Sequence, residues 1–278
     1  MAKTVRRDDR APGARPVNEV RYHGSTALYG RSGTGKTTLA GSYPKPILYL
    51  NIRDNGTDSI SDVEDIDVVD INSSEDLKEI ILWCHKQASK DKLKYRTIVL
   101  DTMSQLQGIL VEELGEKKNL AGKKKRAGDF GSFTKQDWGL IAGDLKAVIM
   151  DVRNLPLESV FICQERVFNV GDEEDDGLDQ LEPEVGPKLM PSVKNDLNAS
   201  VSVIANTFIK VKVTKTKDPK TKKTTREIKK LYCLRVGPNE VYTTKIRKPK
   251  GVEAPDYIED PTFRKLKKIM KGITEDAA

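Results

Sequence analysis

The stretch "GRSGTGKTT", Gly30 to Thr38, constrains this chain more than any other. It completes the pattern G-x-x-x-x-G-K-[ST], with Gly30, Gly35, Lys36 and Thr37 at the fixed positions. It stands between "STALYG", fit for a buried strand, and "KTTLAGS", fit to open a helix, the context that defines a P-loop. The glycines let the backbone of Arg31, Ser32, Gly33 and Thr34 curl so that successive N–H groups, continuing to Thr38, point inward at phosphate oxygens. The helix beginning near Lys36 adds its positive end. Lys36 is expected to reach the β- and γ-phosphates, and the Thr37 hydroxyl to hold Mg²⁺. The expected cofactors are ATP and Mg²⁺.

The rest of the chain supplies a scaffold for such a loop. Short β-rich runs alternate with amphipathic helices, which predicts an α/β fold with a mainly parallel sheet. After "STALYG" come "YPKPILYLN" and "IDVVDI" (66–71). Asn72 or Ser73 can then cap a helix with Leu77, Ile80, Ile81 and Cys84 on one face. "RTIVLD" is a buried strand. A helix after Phe133 carries Trp138, Ile141, Leu145, Val148 and Val152 on one apolar stripe, which places Trp138 in the core. "SVFICQ" is a further buried strand. In the tail, Asp260 can cap and Pro261 can start a last helix with Phe263, Leu266 and Met270 on its apolar side.

A P-loop needs a second acidic group near Mg²⁺, at the end of a neighbouring strand. "TIVLDT" supplies Asp101, the expected Walker B acid; the plain alternative is an ordinary strand-ending aspartate.

Composition narrows the class. Of 278 residues, 32% are charged and 6% aromatic, and the net charge is +6. That describes a soluble, polar protein, and a basic balance favours an anionic partner or simply solubility. The three cysteines, Cys84, Cys163 and Cys233, have no metal-ligand spacing, and with only two histidines a zinc site is not expected. An odd number of cysteines argues for reduced thiols and a cytoplasmic setting. No apolar run approaches the roughly 20 residues that span a bilayer. Residues 1–20 read as a flexible basic arm, 21–272 as one nucleotide-binding domain, and 273–278 as a tail.

Together, "LYGRSGTGKTTLAGSYPKPILYL", "TIVLDTMSQL", "DWGLIAGDLKAVI" and "VFICQE" resemble the RecA-type ATPase cores encoded by bacteriophages. Within that class the chain is similar to phage single-strand annealing recombinases, over roughly Ser25 to Met270. The resemblance implies a RecA-like core that forms a homo-oligomeric ring or filament on single-stranded DNA in a bacterial host, with a single-strand-binding protein as a further partner. It implies that Gln164 senses the γ-phosphate. It places a DNA-binding loop at Val167 to Leu189, although the acidity of that segment here repels a phosphate backbone. It also implies that Lys245 and Arg247, in "TTKIRK", reach into a neighbouring subunit's site. One departure stands out. RecA-type enzymes place a water-activating carboxylate after the second strand, where this chain has Asn51 and Arg53. Asp54 is the nearby candidate base, so slow hydrolysis is expected.

Two basic segments are candidates for DNA. From Lys210 to Arg235 there are eleven Lys/Arg against two acids. "TFIKVKVT" and "EIKKLYCLRV" read as the arms of a basic hairpin over 208–236, with Lys220, Lys222 and Lys223 at its tip. Such a ribbon suits a phosphate backbone; lysines also protect exposed strand edges from aggregation. The second candidate is the run after the helix that follows Asp101, with Lys117, Lys118, Lys123, Lys124, Lys125 and Arg126. The sequence therefore points to an ATP-binding recombination protein that anneals strands. The rival readings are a nucleotide-dependent switch or loader that recruits a replication protein, and a helicase-type motor.

Overall fold

The structure is a computed structural model and describes residues 23–54, 56–120, 133–168, 184–217 and 224–273. The predicted arm, the Lys123–Arg126 run, most of the acidic segment and the hairpin tip with Lys220, Lys222 and Lys223 lie outside the described residues.

Ser25–Gly30 (β1) is buried along its whole length, which requires strands on both sides and helices on both faces. Its neighbours are Glu158–Cys163 (β5) and the start of Val203–Lys217 (β8), both parallel to it. Beyond β5 come Thr97–Asp101 (β4), Ile47–Ile52 (β2) and Ile66–Ile71 (β3), also parallel. On the other side, Thr224–Arg235 (β9) runs antiparallel to β8, and Tyr257–Glu259 (β11) antiparallel to β9. The order is β11-β9-β8-β1-β5-β4-β2-β3, with the short Lys245–Ile246 (β10) against β8. This mostly parallel sheet agrees with the expected α/β class. β3 exposes Asp67, Val68 and Asp70 and closes the far edge with charge, as an edge strand should.

Helices cover both faces. On one lie Lys36–Gly41 (α1) and Phe263–Lys271 (α6), whose Leu39, Tyr43 and Leu266 pack on Leu28, Val99 and Leu234 of the sheet. On the other lie Ser74–Ala88 (α2), Met103–Leu120 (α3), Lys135–Arg153 (α4) and Pro191–Ser200 (α5). Ser73 caps α2 and Thr134 caps α4, each in a reciprocal capping box, with Asp76 and Asp137.

The structure departs from the sequence reading in four places. β8 begins at Val203, so "VIAN" joins the sheet beside β1 before the ribbon starts. α5 and the small sheet of Glu165–Phe168 (β6) with Glu184–Pro187 (β7) were not anticipated. Trp138 is 38% exposed, meeting Phe133 edge to face, whereas Ile141, Leu145, Val148 and Val152 are buried; the apolar stripe is narrower than the sequence suggests. α6 starts at Phe263, not Pro261. Thr262 is its cap, accepting a hydrogen bond from the Lys265 N–H, while Asp260 adopts a left-handed backbone (φ 44°) unsuited to capping.

Candidate nucleotide site

The P-loop leaves β1 at the carboxyl ends of the parallel strands and turns directly into α1. Three loop glycines hold positive φ, Gly30 at 157°, Gly33 at 75° and Gly35 at 89°, conformations that a side chain disfavours. Gly30 is required for a second reason. A Cβ there would lie 2.4 Å from the Thr207 hydroxyl and 2.5 Å from the Thr207 carbonyl oxygen. β8 therefore presses on the start of the loop, and the Thr34 and Thr207 hydroxyls, 2.6 Å apart, clamp it.

Ser32 through Thr38 line a cavity of about 660 Å³. Gly30 and Arg31 do not; their carbonyls accept hydrogen bonds from the Lys36 ammonium at 2.9 and 2.8 Å, and the Arg31 guanidinium pairs with Glu165 at 2.8 Å. Lys36 thus spans the loop mouth. Partial burial lowers its pKa, opposed by the nearby carboxylates of Asp101 and Asp54.

The metal end lies on the β4–β2 side. Asp101 ends β4 and is 2% exposed. The Thr37 hydroxyl donates to its Oδ2 at 3.1 Å, and the Tyr49 phenol donates to the same oxygen. Burial raises the Asp101 pKa; Asp54 pushes the same way, while Tyr49, Thr37 and Lys36 oppose it. A carboxylate held in so dry a place gains from a cation, and the adjacent threonine hydroxyl and carboxylate are the donor pair that a P-loop offers Mg²⁺. Bound there, Mg²⁺ neutralises phosphate charge. Asp54 and Asp101 both line the cavity and both approach Gly56: a Cβ on Gly56 would sit 3.2 Å from the Thr37 hydroxyl and 3.8 Å from each acid. Arg53 turns away, pairing with Glu112 and donating to the Asn72 carbonyl at 3.3 Å, and Asn51 binds Asp70 at 2.6 Å. Asn51 and Arg53 are therefore spent on structure, and Asp54 is the acid that reaches the cavity from this loop.

Sequence reasoning missed Tyr49. The signal was a phenol in an otherwise aliphatic buried strand, whose hydroxyl needs a partner. It also missed the wall formed by Tyr232, Asp260, Pro261 and Thr262.

Other predicted residues lie apart. Gln164 follows β5, between β1 and β4, but its side chain accepts from Lys188 at 3.3 Å and it does not line the cavity. Lys245 and Arg247 sit at the opposite end of the strands: Lys245 is level with Ile204, and the Arg247 N–H bonds the Ser202 carbonyl. Their side chains donate to the last carbonyls of α5, Lys245 to Asn198 at 2.6 Å and Arg247 to Ala199 at 3.4 Å, where cations complement a helix end. Lys117 and Lys118 belong to the last turn of α3, not to a loop, and Lys118 is held by Asp137 and by the Phe133 ring at 5.4 Å. Among the described residues no cluster of His, Cys, Asp and Glu could hold a metal by itself, and no helix is long and apolar enough to cross a membrane. The three cysteines are buried and free.

A P-loop on a mostly parallel sheet, with its lysine, threonine and Walker-type aspartate in one cavity, defines a P-loop NTPase-type domain. The family model of an AAA domain matches residues 24–247, most of the chain, and the protein belongs to that family. No curated protein matches it as a relative.

Proposed function

We propose that this protein binds ATP with Mg²⁺, assembles as a ring or filament on single-stranded DNA and promotes strand annealing. The observation that carries the DNA part is on the ribbon. β8 and β9 run past the rest of the sheet, and Lys212 and Lys229 face each other directly across the ladder, with Lys210 next on the same face. Like charges directly opposite destabilise a strand pair; an anion laid along that face reverses the sign. Annealing needs charge neutralisation and exposed bases, with no covalent step, which suits a site whose candidate base is Asp54. Lys245 and Arg247 lie too far from their own P-loop to serve it, so any role at a phosphate is in trans, within an oligomer.

A second reading has its own support. The opposite face of the ribbon exposes Ile209, Val211, Val213 and Ile228 between Lys230 and Arg226, an apolar patch with a basic border of the kind a nucleotide-dependent switch uses to recruit a protein. Binding to single-stranded DNA across a salt series, with and without ATP, decides. A steep salt dependence supports the annealing protein; no binding at low salt removes it and leaves the recruiter.

A further inference from the structure

The cavity extends well beyond the phosphate loop, and the sheet order gives it two unlike ends. On the β4–β2 side stand the acids, Asp101 and Asp54. On the other side stands β9, two strands from β1. There Tyr232 meets the loop: a Cβ on Gly35 would lie 3.4 Å from the Tyr232 ring, an ordinary van der Waals contact. The ring is nonetheless 44% exposed, so one side rests near the loop and the rest is open. Its backbone is anchored. The Tyr232 carbonyl accepts the Asp260 N–H at 2.8 Å, continuing the β9–β11 pairing, and the Phe263 N–H donates to the Ser42 hydroxyl at the end of α1 at 2.9 Å. Asp260, Pro261 and Thr262 are thereby fixed beside Tyr232 as one wall of the cavity.

We propose that Tyr232 is the platform on which the nucleobase stacks, with Pro261 and Thr262 closing the base compartment. This rests on the reading of the cavity as an ATP site. The triphosphate lies over Ser32–Thr38 with its metal toward Asp101, so the nucleoside projects the other way, onto the β9 wall. An exposed aromatic at that end is a ready stacking surface for any base. The same residue gives the ribbon a route to the nucleotide, because Tyr232 lies on the strand that carries Lys229 and Lys230.

The test is titration of the full chain with Mg²⁺ and either ATP or inorganic tripolyphosphate. Tyr232→Ala is expected to weaken ATP about tenfold and to leave tripolyphosphate unchanged. Tyr232→Trp is expected to show indole fluorescence that ATP quenches and tripolyphosphate does not. Equal losses for both ligands, or no loss for ATP together with no selective quenching, would overturn the base platform while leaving the phosphate site standing. A wild-type chain that binds neither ligand would overturn the ATP reading itself, and the platform with it.

Discussion

The phosphate loop and the β8–β9 ribbon are built by opposite rules. Around the loop, polar groups are drawn inward and satisfied by one another: Thr34 on Thr207, Lys36 on two carbonyls, Thr37 and Tyr49 on Asp101. Nearly every residue there has a reason in the fold as well as in the ligand. Along the ribbon the reverse holds. Past Thr207, β8 has left β1 and pairs with β9 alone, and its side chains make little or no core. One face shows Lys210, Lys212 and Lys229; the other shows Ile209, Val211, Val213 and Ile228, with Lys230 and Arg226 among them. Lys210 is tied to β11 through the Tyr257 hydroxyl and ring; folding gives little account of the others, since exposed side chains away from special features contribute little to stability. The ribbon's composition therefore speaks of contacts, and the loop's of chemistry.

The comparison breaks most sharply at Lys36. Among the described residues its ammonium bonds only the Gly30 and Arg31 carbonyls of its own loop, so Lys36→Ala should leave the fold intact. ATP–Mg²⁺ affinity should fall on the order of a hundred-fold, the scale of one or two lost charge-assisted hydrogen bonds at about 1.5–3 kcal/mol each. Calorimetric titration together with a thermal melt checks both halves. Unchanged affinity would place the nucleotide elsewhere.

A smaller effect is expected on the ribbon, and there the two faces can be separated. Replacing Lys210, Lys212 and Lys229 by Gln should weaken single-stranded DNA about equally for all sequences. The log–log salt slope should flatten by about 2, since each phosphate contact on a single strand contributes about 0.7. Replacing Val211, Val213 and Ile228 by Ser should leave that slope alone and alter assembly, read by sedimentation with and without ATP. If the serine variant changes the slope and the glutamine variant does not, the assignment of faces is inverted.

Legibility in the sequence follows the same division. β1, β2, β3, β4 and β5, and the cap of α2, are legible because local patterns and buried requirements coincide there. So are Lys36, Thr37 and Asp101, which a motif fixes by spacing. Tyr232 and Thr262 could not be read that way. They reach the cavity from residues some 200 positions after the loop, through the placement of β9 and β11, and no local pattern encodes that approach. α5 escaped because "PSVKNDLNAS" is polar apart from Val193 and Leu197, whose burial depends on the far side of the sheet. The ribbon's two faces were hidden because the lysines were counted along the chain. Only the register, which sets Lys212 opposite Lys229, Val213 opposite Ile228 and Val211 opposite Lys230, shows that the apolar residues share one face while the basic residues occupy both.

The smallest effect concerns Asp101, where function and stability pull apart. Burial raises its pKa above the ordinary carboxylate value, so the folded state holds the proton more tightly than the unfolded chain does. The sign follows from linkage: between the unfolded and folded pKa values the native state binds more protons, and stability falls as pH rises through that window. At neutral pH its burial is a standing cost in the ligand-free protein. Asp101→Asn removes the charge and keeps an oxygen that can accept from Tyr49 and Thr37. The ligand-free variant should therefore melt a few degrees higher than wild type at pH 7, a shift of about 1 kcal/mol in a domain of this size. The gain should vanish as pH falls below the ordinary carboxylate range. Mg²⁺-dependent ATP binding should weaken in the same variant, because the cation loses its acidic ligand. Urea denaturation from pH 4 to 8 with chelator present checks the first part. A wild-type-minus-variant difference that does not change with pH would mean that Asp101 carries no burial cost, and that its carboxylate is already compensated without a metal.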